Sequence, residues 1–264
     1  MNSIVWNPWH GCEKYSEGCL NCYVYRRDGS VGRDATRVEK NADFDLPLRR
    51  TRSGNWKLPD GTDGYCCMTS DFFLPAADEW RGALWHIFRE RPGLRFTIIT
   101  KRITRFPEVM PENWGNGYPN VRFFATVESQ RQAEIRMPVF DRVPAAEKGI
   151  VCEPLLTKID LSPWLSPAYS QLICGGESGI AARPCDYDWI LSLREQCAAA
   201  RVSFHFKQTG ALFLKGGRAY RIPRPEQHRQ ARAAGIDLSF PAHRRASVKI
   251  AGTAEQMTIS DTSF

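Results

Sequence analysis

The sequence predicts an α/β fold: a TIM-like (β/α) barrel, complete or partial, or an open sheet of parallel strands. Three observations support this prediction. Short apolar runs recur along the chain, helical or loop segments separate them, and each run ends at polar or glycine residues. Continuous apolar runs are typical of strands that are buried on both faces of a parallel sheet. Strands that alternate with helices indicate βαβ units, in which consecutive strands run parallel.

Seven runs are predicted to be strands, because apolar residues, many of them β-branched or aromatic, dominate them. They cover residues 3–6, 65–69, 96–100, 122–127, 149–152, 171–174 and 203–206. Helices are predicted where apolar residues recur at spacings of three and four. They cover residues 76–90, 130–137 and 188–200. Asp186 or Asp188 is the expected N-cap of the last helix, because a carboxylate there accepts a free backbone N–H.

The composition is that of a soluble globular protein: 264 residues, 42% of them hydrophobic and 25% charged. No apolar run approaches the length of a membrane span, so we expect no membrane association. The first eight residues lack the charged and apolar regions of a secretory signal, so we expect a cytoplasmic protein with reduced thiols. The nine cysteines, an odd number, are therefore expected to be free thiols or metal ligands.

Basic residues outnumber acidic ones by 36 to 29, and the net charge of +7 is unevenly distributed. Residues 208–264 contain nine basic and four acidic residues, and residues 26–57 contain nine and five. Such regions suit a polyanion such as nucleic acid, because lysine and arginine neutralise phosphates. The alternative is a solvated basic surface without a partner. We divide the chain into a barrel domain, residues 1–210, and a basic C-terminal extension, residues 211–264.

Polar and glycine residues follow directly after the predicted strands. In a parallel barrel or sheet these positions meet at one end, where active sites form. We therefore expect a charged pocket over the apolar barrel. Its expected members are Asn7, Ser70, Asp71, Lys101, Arg102, Glu128, Glu153, Gly175, Gly176, Glu177, Lys207 and Gln208.

Three of the cysteines lie within eleven residues, in the pattern Cys12-x6-Cys19-x2-Cys22 after the first predicted strand. Thiolates at such spacing favour an iron–sulfur cluster, in which three ligands leave one iron open, or a zinc ion. Zinc requires a fourth ligand, for which His10 is the local candidate. Structural cysteines that are close by accident are the third interpretation. The other six lie mainly in apolar segments, where reduced thiols act as small hydrophobic side chains.

The cysteine pattern belongs to a series of short motifs spread over residues 4–210. The others are Trp6-Asn7-Pro8, Ser70-Asp71-Phe72-Phe73, Thr100-Lys101-Arg102, Val127-Glu128-Ser129, Cys152-Glu153-Pro154-Leu155-Leu156, Gly175-Gly176-Glu177-Ser178-Gly179, Ala182-Arg183-Pro184 and Phe206-Lys207-Gln208-Thr209-Gly210. As a set they resemble the phage Gp37/Gp68-like (DUF5131) family, a radical-SAM-like group.

The resemblance implies a partial barrel of the radical SAM type in which Cys12, Cys19 and Cys22 bind a [4Fe-4S] cluster. S-adenosylmethionine then chelates the open iron, and an electron from an external donor cleaves it to a 5'-deoxyadenosyl radical that abstracts hydrogen from carbon. The sequence departs from the commonest radical SAM pattern in two ways. Its first two cysteines are three residues further apart than in C-x3-C-x2-C, and no Gly-Gly-Glu follows the second predicted strand.

The resemblance also suggests a role for each pocket residue. The expected cofactor contacts are Ser70 and Asp71 to the methionine ammonium, Lys101 or Arg102 to its carboxylate, Glu128 or Glu153 to the ribose, and the backbone of Gly175 and Gly176 to the ligand. Glu177, Lys207 and Cys152 are the expected catalytic residues, with Arg183 and Gln208 also facing the substrate.

A nucleic-acid base is the expected substrate, given the phage association of the family and the basic regions with their interleaved aromatic residues. One concrete reaction is isomerisation of an amino-acid-decorated thymine in phage DNA, in the cytoplasm of an infected or bacterial host cell. An enzyme that acts on duplex DNA must extrude the base. Two alternatives stay open: a radical SAM enzyme that acts on a peptide or small metabolite, and a non-enzymatic, zinc-stabilised nucleic-acid-binding module completed by His10.

Overall fold

A curled sheet of seven parallel strands lies at the centre of the computed structural model, which describes residues 2–241. The strands of the protein are β1 (Ser3–Trp6), β2 (Trp9–His10), β3 (Glu39–Lys40), β4 (Asp63–Cys66), β5 (Arg95–Thr100), β6 (Val121–Thr126), β7 (Glu147–Cys152), β8 (Tyr169–Gly175), β9 (Cys185–Asp186), β10 (Ser203–Gln208), β11 (Leu212–Lys215) and β12 (Arg218–Arg221). The helices are α1 (Tyr23–Gly29), α2 (Asp78–Glu90), α3 (Phe106–Val109), α4 (Gln130–Arg142), α5 (Tyr187–Ala200) and α6 (Arg224–Ala233).

The central sheet has the strand order β1-β4-β5-β6-β7-β8-β10, and every neighbouring pair is parallel. Within residues 2–241, β1 and β10 do not pair, so the sheet forms a half-barrel that is open at one side. All seven predicted strands are present in this sheet. The second ends at Cys66 rather than at residue 69, because Cys67 has a positive φ of 61° that an extended strand cannot continue.

The predicted helices are present, with shifted ends. A 3-10 turn at Pro75–Ala77 precedes α2, and α5 begins at Tyr187 with Asp186 as its N-cap. Helix α4 runs five residues beyond its predicted end and continues through Pro138, which lies at an exposed position of the helix. Helices α1, α3 and α6 were not predicted. Among residues 2–241, no helix combines the length and hydrophobicity that a membrane crossing requires.

Aromatic rings fill the core between β1, β5 and α2. Phe88 of α2 lies 4.5 Å from Phe96 of β5 and 6.3 Å from Trp6 of β1, measured between ring centroids. Phe72, which follows β4, lies 4.9 Å from Trp85. These rings are at most 5% exposed. Because β1 and β4 are anchored by this cluster, the loops at their carboxyl ends start from fixed positions.

Residues 211–241 pack against the edge of the parallel sheet beside β10. Strand β11 pairs with β12 in an antiparallel hairpin and with β9 in parallel, and α6 packs against β10. Leu238 exchanges two backbone hydrogen bonds of 2.9 Å with Phe204. The remainder of the predicted extension, with Arg244 and Lys249, lies outside the described residues.

We expect the Phe88→Ala variant to lose about 3–5 kcal/mol of unfolding free energy, because it leaves a cavity among four other aromatic rings. Chemical denaturation followed by circular dichroism measures the loss. Ile180→Ala is the control, because this side chain is 97% exposed. Equal stability of the two variants would contradict the described core.

Candidate functional site

A cavity of about 420 Å³ opens at the carboxyl ends of the parallel strands. Its lining includes most of the residues that the sequence predicted for the pocket. They are Cys12, Cys19, Cys22, Ser70, Asp71, Lys101, Arg102, Glu153, Gly176, Glu177, Lys207 and Gln208. Of the residues predicted for the pocket or for substrate contact, Asn7, Glu128, Cys152, Gly175 and Arg183 do not line it.

The three clustered cysteines lie on one loop, the cysteine loop (residues 11–22), which leads from β2 into α1. Gly11 starts the loop with a φ of +93°, and a Cβ atom there would lie 2.2 Å from the carbonyl oxygen of Arg37. Only glycine fits this position. The Cys12 N–H then donates to the carbonyl of Ala35 over 2.8 Å. These contacts with residues 35–38 fix the path of the chain at the first cysteine.

The thiols of Cys12, Cys19 and Cys22 are free and partly exposed. Burial, with the nearby Asp71 carboxylate, raises the pKa of Cys12 to about 12. Within residues 2–241, no group of three or more histidine, cysteine, aspartate or glutamate side chains is arranged to hold a single metal ion. As donors, three soft thiols suit an iron–sulfur cluster.

His10, the candidate fourth ligand for zinc, is turned away from the cysteines. Its Nε2 atom lies 2.6 Å from Oδ2 of Asp28, and both side chains are buried. His10 does not line the cavity. The imidazole instead links the end of β2 to α1.

Glu128 and Arg136 form a fully buried ion pair beneath the cysteine loop. The guanidinium Nη1 of Arg136 lies 2.5 Å from Oε2 of Glu128, and both side chains are 0% exposed. The Glu128 carboxylate also accepts from the Ser16 hydroxyl and from the Gly18 N–H, over 3.4 Å to the latter. Glu128, an expected ribose contact, does not line the cavity. Its oxygens are used within the protein, where they attach the loop to β6 and α4.

Glycine at position 18 is required by this attachment. A Cβ atom on Gly18 would lie 2.9 Å from the carboxylate carbon of Glu128. Any larger residue would push the loop away from its buried anchor.

Arg102 and Asp71 also support the loop and its surroundings. Arg102 donates to the carbonyl of Glu13 over 2.8 Å and lies over the ring of Tyr15 at 4.4 Å. The Asp71 carboxylate accepts from the Thr100 hydroxyl at 2.7 Å and from the Lys101 N–H at 2.9 Å. Both predicted ligand-binding residues thus line the cavity while making specific contacts within the protein.

Two further carboxylates hold the second half of the loop. Glu17 accepts from the Ser129 hydroxyl and from the Gln132 amide. Glu177 accepts from Asn21 over 3.0 Å and forms an ion pair with Arg183 at 2.6 Å. Burial alone raises the pKa of Glu177, but the hydrogen bonds from Arg183 and Asn21 outweigh it and hold this pKa below its usual value. Glu177 is therefore a carboxylate that fixes the loop residue Asn21.

The opposite wall of the cavity carries a small charged network. Lys207 Nζ and Gln208 Nε2 each lie 2.6 Å from one oxygen of Glu153. Within the described residues, the Lys101 ammonium, which also lines the cavity, has no hydrogen-bond or ion-pair partner. Among the residues that the structure describes, the cavity therefore offers the unpaired Lys101 ammonium and the Glu153 carboxylate, which two donors already share.

The paired glycines serve chain packing. A Cβ atom on Gly176 would lie 2.2 Å from the carbonyl oxygen of Thr209, and one on Gly175 would lie 3.0 Å from the Gln208 side chain. The Gly176 N–H also donates to the carbonyl of Gln208 over 3.1 Å. These glycines allow two chain segments to approach closely, and only Gly176 reaches the cavity.

Cys152, one of the expected catalytic residues, does not line the cavity. It is 0% exposed at the end of β7, and its neighbour Cys174 on β8 is equally buried. Burial raises the pKa of both thiols well above the usual value. A thiol in this state is a poor nucleophile and packs as a small apolar side chain.

Several site residues were missed by the sequence analysis. Arg136 supports Glu128, and Arg224 and His228 of α6 line the cavity from the C-terminal side. Cys67 also lines it, at the positive-φ position after β4. The spacing of Arg224 and His228, four residues apart on one helix face, is a sequence signal for a shared surface. The partner of Arg136 has no comparable local signal.

Comparison with known proteins identifies the family. The profile of a family described as protein of unknown function (DUF5131) matches residues 2–252, which is most of the chain. The chain belongs to this family. DUF5131 membership confirms the resemblance found in the motifs, while the radical-SAM character expected with it stays a prediction. No curated protein and no solved structure matches the chain.

We expect Glu128→Gln to lower the unfolding free energy by about 3–5 kcal/mol, because it leaves the buried Arg136 guanidinium without its counter-charge. The cysteine loop should also loosen, and alkylation of Cys12, Cys19 and Cys22 by iodoacetamide should become faster. Peptide mass spectrometry measures this rate. The double variant Glu128→Gln/Arg136→Met should recover part of the stability, and full stability of the single variant would contradict the anchoring role.

The Glu177 contacts predict a pH dependence of stability. Because its pKa is lowered in the folded protein, ionised Glu177 stabilises the fold at every pH above the unfolded value of about 4.3. This contribution disappears as the pH falls through the folded value. The stability difference between the protein and its Glu177→Gln variant, measured by denaturation between pH 3 and 7, should therefore shrink on acidification. A difference that grows on acidification would contradict the assignment.

Proposed function

We propose that this protein is a radical S-adenosylmethionine enzyme whose [4Fe-4S] cluster is held by Cys12, Cys19 and Cys22, and that its substrate is a base of nucleic acid. One observation supports the proposal most directly. Three free, partly exposed thiols on a single anchored loop face the same cavity as the strand-end charges. In a parallel α/β fold this end is where cofactors and substrates bind.

The donor set favours a cluster over zinc. A single zinc ion requires its ligands to converge tetrahedrally on one point, usually with four protein ligands in a structural site. In a cubane cluster each thiolate binds a different iron, so three sulfurs around a cavity suffice. The nearby His10 is paired with Asp28 in a buried contact and does not line the cavity.

The remaining residues would bind and orient the cofactor and substrate. Lys101 would pair with the carboxylate of the methionine group, since its ammonium has no partner among the described residues. Glu153, held by Lys207 and Gln208, would accept from ribose hydroxyls. Ser70 would contact the methionine ammonium, and Asp71 would add negative charge beside it. The chemistry these cofactors supply when bound is one-electron reductive cleavage of the sulfonium, which allows hydrogen abstraction from carbon.

The charge around the cavity supports a nucleic-acid base as substrate. Lys14, Lys207, Arg224 and His228 all line it. Lys207 is held by Glu153, so Arg224 and His228 would contact a phosphate backbone while the base enters. Isomerisation of an amino-acid-decorated thymine is the specific version of this proposal. It leaves the atoms of the substrate unchanged in number, because the abstracted hydrogen returns to the product. The electron comes from an external donor.

We expect that anaerobic reconstitution with iron and sulfide yields a brown protein, which cleaves S-adenosylmethionine when it is reduced with dithionite. Alanine in place of Cys12, Cys19 or Cys22 should abolish iron binding and cleavage, because each thiolate holds one iron. Iron and labile sulfide are measured colorimetrically, and cleavage by chromatography.

Cys197→Ala is the matched control, because this thiol is buried in α5 away from the cavity and should leave iron content unchanged. Stoichiometric zinc without labile sulfide would contradict the proposal and support the zinc-stabilised module. Cleavage that a peptide stimulates and nucleic acid does not would support the peptide-modifying alternative.

A further inference from the structure

A second cavity, of about 440 Å³, lies beside the first and is built largely by the C-terminal extension. Its walls come from α5, β10, the β11–β12 hairpin and α6. Aromatic side chains dominate one side: Tyr187, Phe206, Phe213 and Tyr220. The rings of Phe206 and Phe213 stack at 6.2 Å, and Tyr187 lies 5.9 Å from Phe213. Tyr220 is 44% exposed and presents the accessible ring.

The two cavities share a wall. At the end of β10, Phe206 lines the second cavity, whereas Lys207 and Gln208 line the first. Helix α6 also lies between the two cavities. Its Arg224 and His228 line the first cavity, and its Glu226 and Gln230 line the second. A polymeric ligand that crosses α6 can therefore occupy both cavities.

Positive charge surrounds the second cavity. Residues 211–241 contain six basic and two acidic residues, a surplus of four. Within the described residues, the guanidinium groups of Arg218, Arg221 and Arg224 have no ion-pair partner. Lys215 lies over the Tyr187 ring at 4.7 Å, and it lines the cavity together with Arg221. Cations that are not neutralised by the protein are available for an anionic ligand.

We propose that the second cavity binds an unpaired nucleotide of a single-stranded nucleic acid, next to the nucleotide whose base enters the first cavity. The exposed ring of Tyr220 would stack on the base, and Arg218 and Arg221 would contact the flanking phosphates. This combination of aromatic surface and backbone-tracking charge is how proteins bind single strands without reading their sequence. In a duplex the base faces are stacked on one another, so they are not available to Tyr220. The inference rests on the proposed nucleic-acid substrate.

Fluorescence anisotropy with a labelled twelve-nucleotide oligo-dT tests the proposal on the full chain without cluster. We expect Tyr220→Ala to weaken binding roughly 5- to 150-fold, the factor that corresponds to the loss of one base–aromatic stack. Tyr220→Phe keeps the ring and should bind as the unaltered protein does. Oligo-rU should bind similarly, while blunt duplex DNA of the same length should be insensitive to Tyr220→Ala.

A salt series tests the charge contacts separately. Arg221→Ala should lower the slope of log affinity against log salt concentration by about 0.7, because one phosphate contact with a single strand is lost. Arg89→Ala, an exposed residue of α2 that lines neither cavity, is the matched control and should leave the slope unchanged.

The proposal is overturned if Tyr220→Ala binds oligo-dT as the unaltered protein does, or if poly-glutamate competes as well as oligo-dT. The second result would show an acidic-peptide surface. Failure of the cluster to assemble would leave this binding assay unaffected, and failure of the binding assay would leave the iron and cleavage measurements unaffected. The proposed cluster chemistry and the proposed single-strand site can therefore be refuted separately.

Discussion

The buried ion pair between Glu128 and Arg136 is the contact on which the arrangement of the cavity depends. A buried pair of full charges is stable only when each charge has a counter-charge and hydrogen-bond partners. Besides its ion pair with Arg136, Glu128 accepts hydrogen bonds from Ser16 and Gly18 of the cysteine loop. The loop therefore cannot leave the sheet without taking two hydrogen bonds from the buried Glu128 carboxylate. The position of the three thiols is in this way coupled to the packing of α4 against β6.

Most of the fold could be predicted from the sequence, because the dominant signals were local. The seven strands of the parallel sheet are continuous apolar runs, and two of the helices, α2 and α5, have strong apolar spacing. The missed elements have weaker local signals: α1 follows the cysteines with a largely polar sequence, and α6 is strongly basic. Their positions depend on tertiary contacts such as the pairing of His10 with Asp28.

The candidate site could be located from the sequence, but the roles of its residues could not. The topological rule that strand ends meet correctly brought Ser70, Lys101 and Lys207 to one cavity. It does not show which carboxylate finds an internal partner, and Glu128 and Glu177 are both held by arginines that lie elsewhere along the chain or in a loop. Such pairing is a property of three-dimensional distance. Some residues of the sequence motifs therefore hold the cysteine loop in place, and others face the cavity.

The position of α6 between the two cavities has a thermodynamic consequence. Its Arg224 and His228 face one cavity and its Gln230 faces the other, so a displacement of the helix changes the shape of both. A ligand that bound better to one position of α6 than to another would alter the affinity on the opposite side. Linkage requires that effect to be reciprocal: the second ligand must change the affinity for the first by the same factor. Because this ten-residue helix contributes side chains to both walls, it is the element through which occupancy of one cavity would be felt at the other.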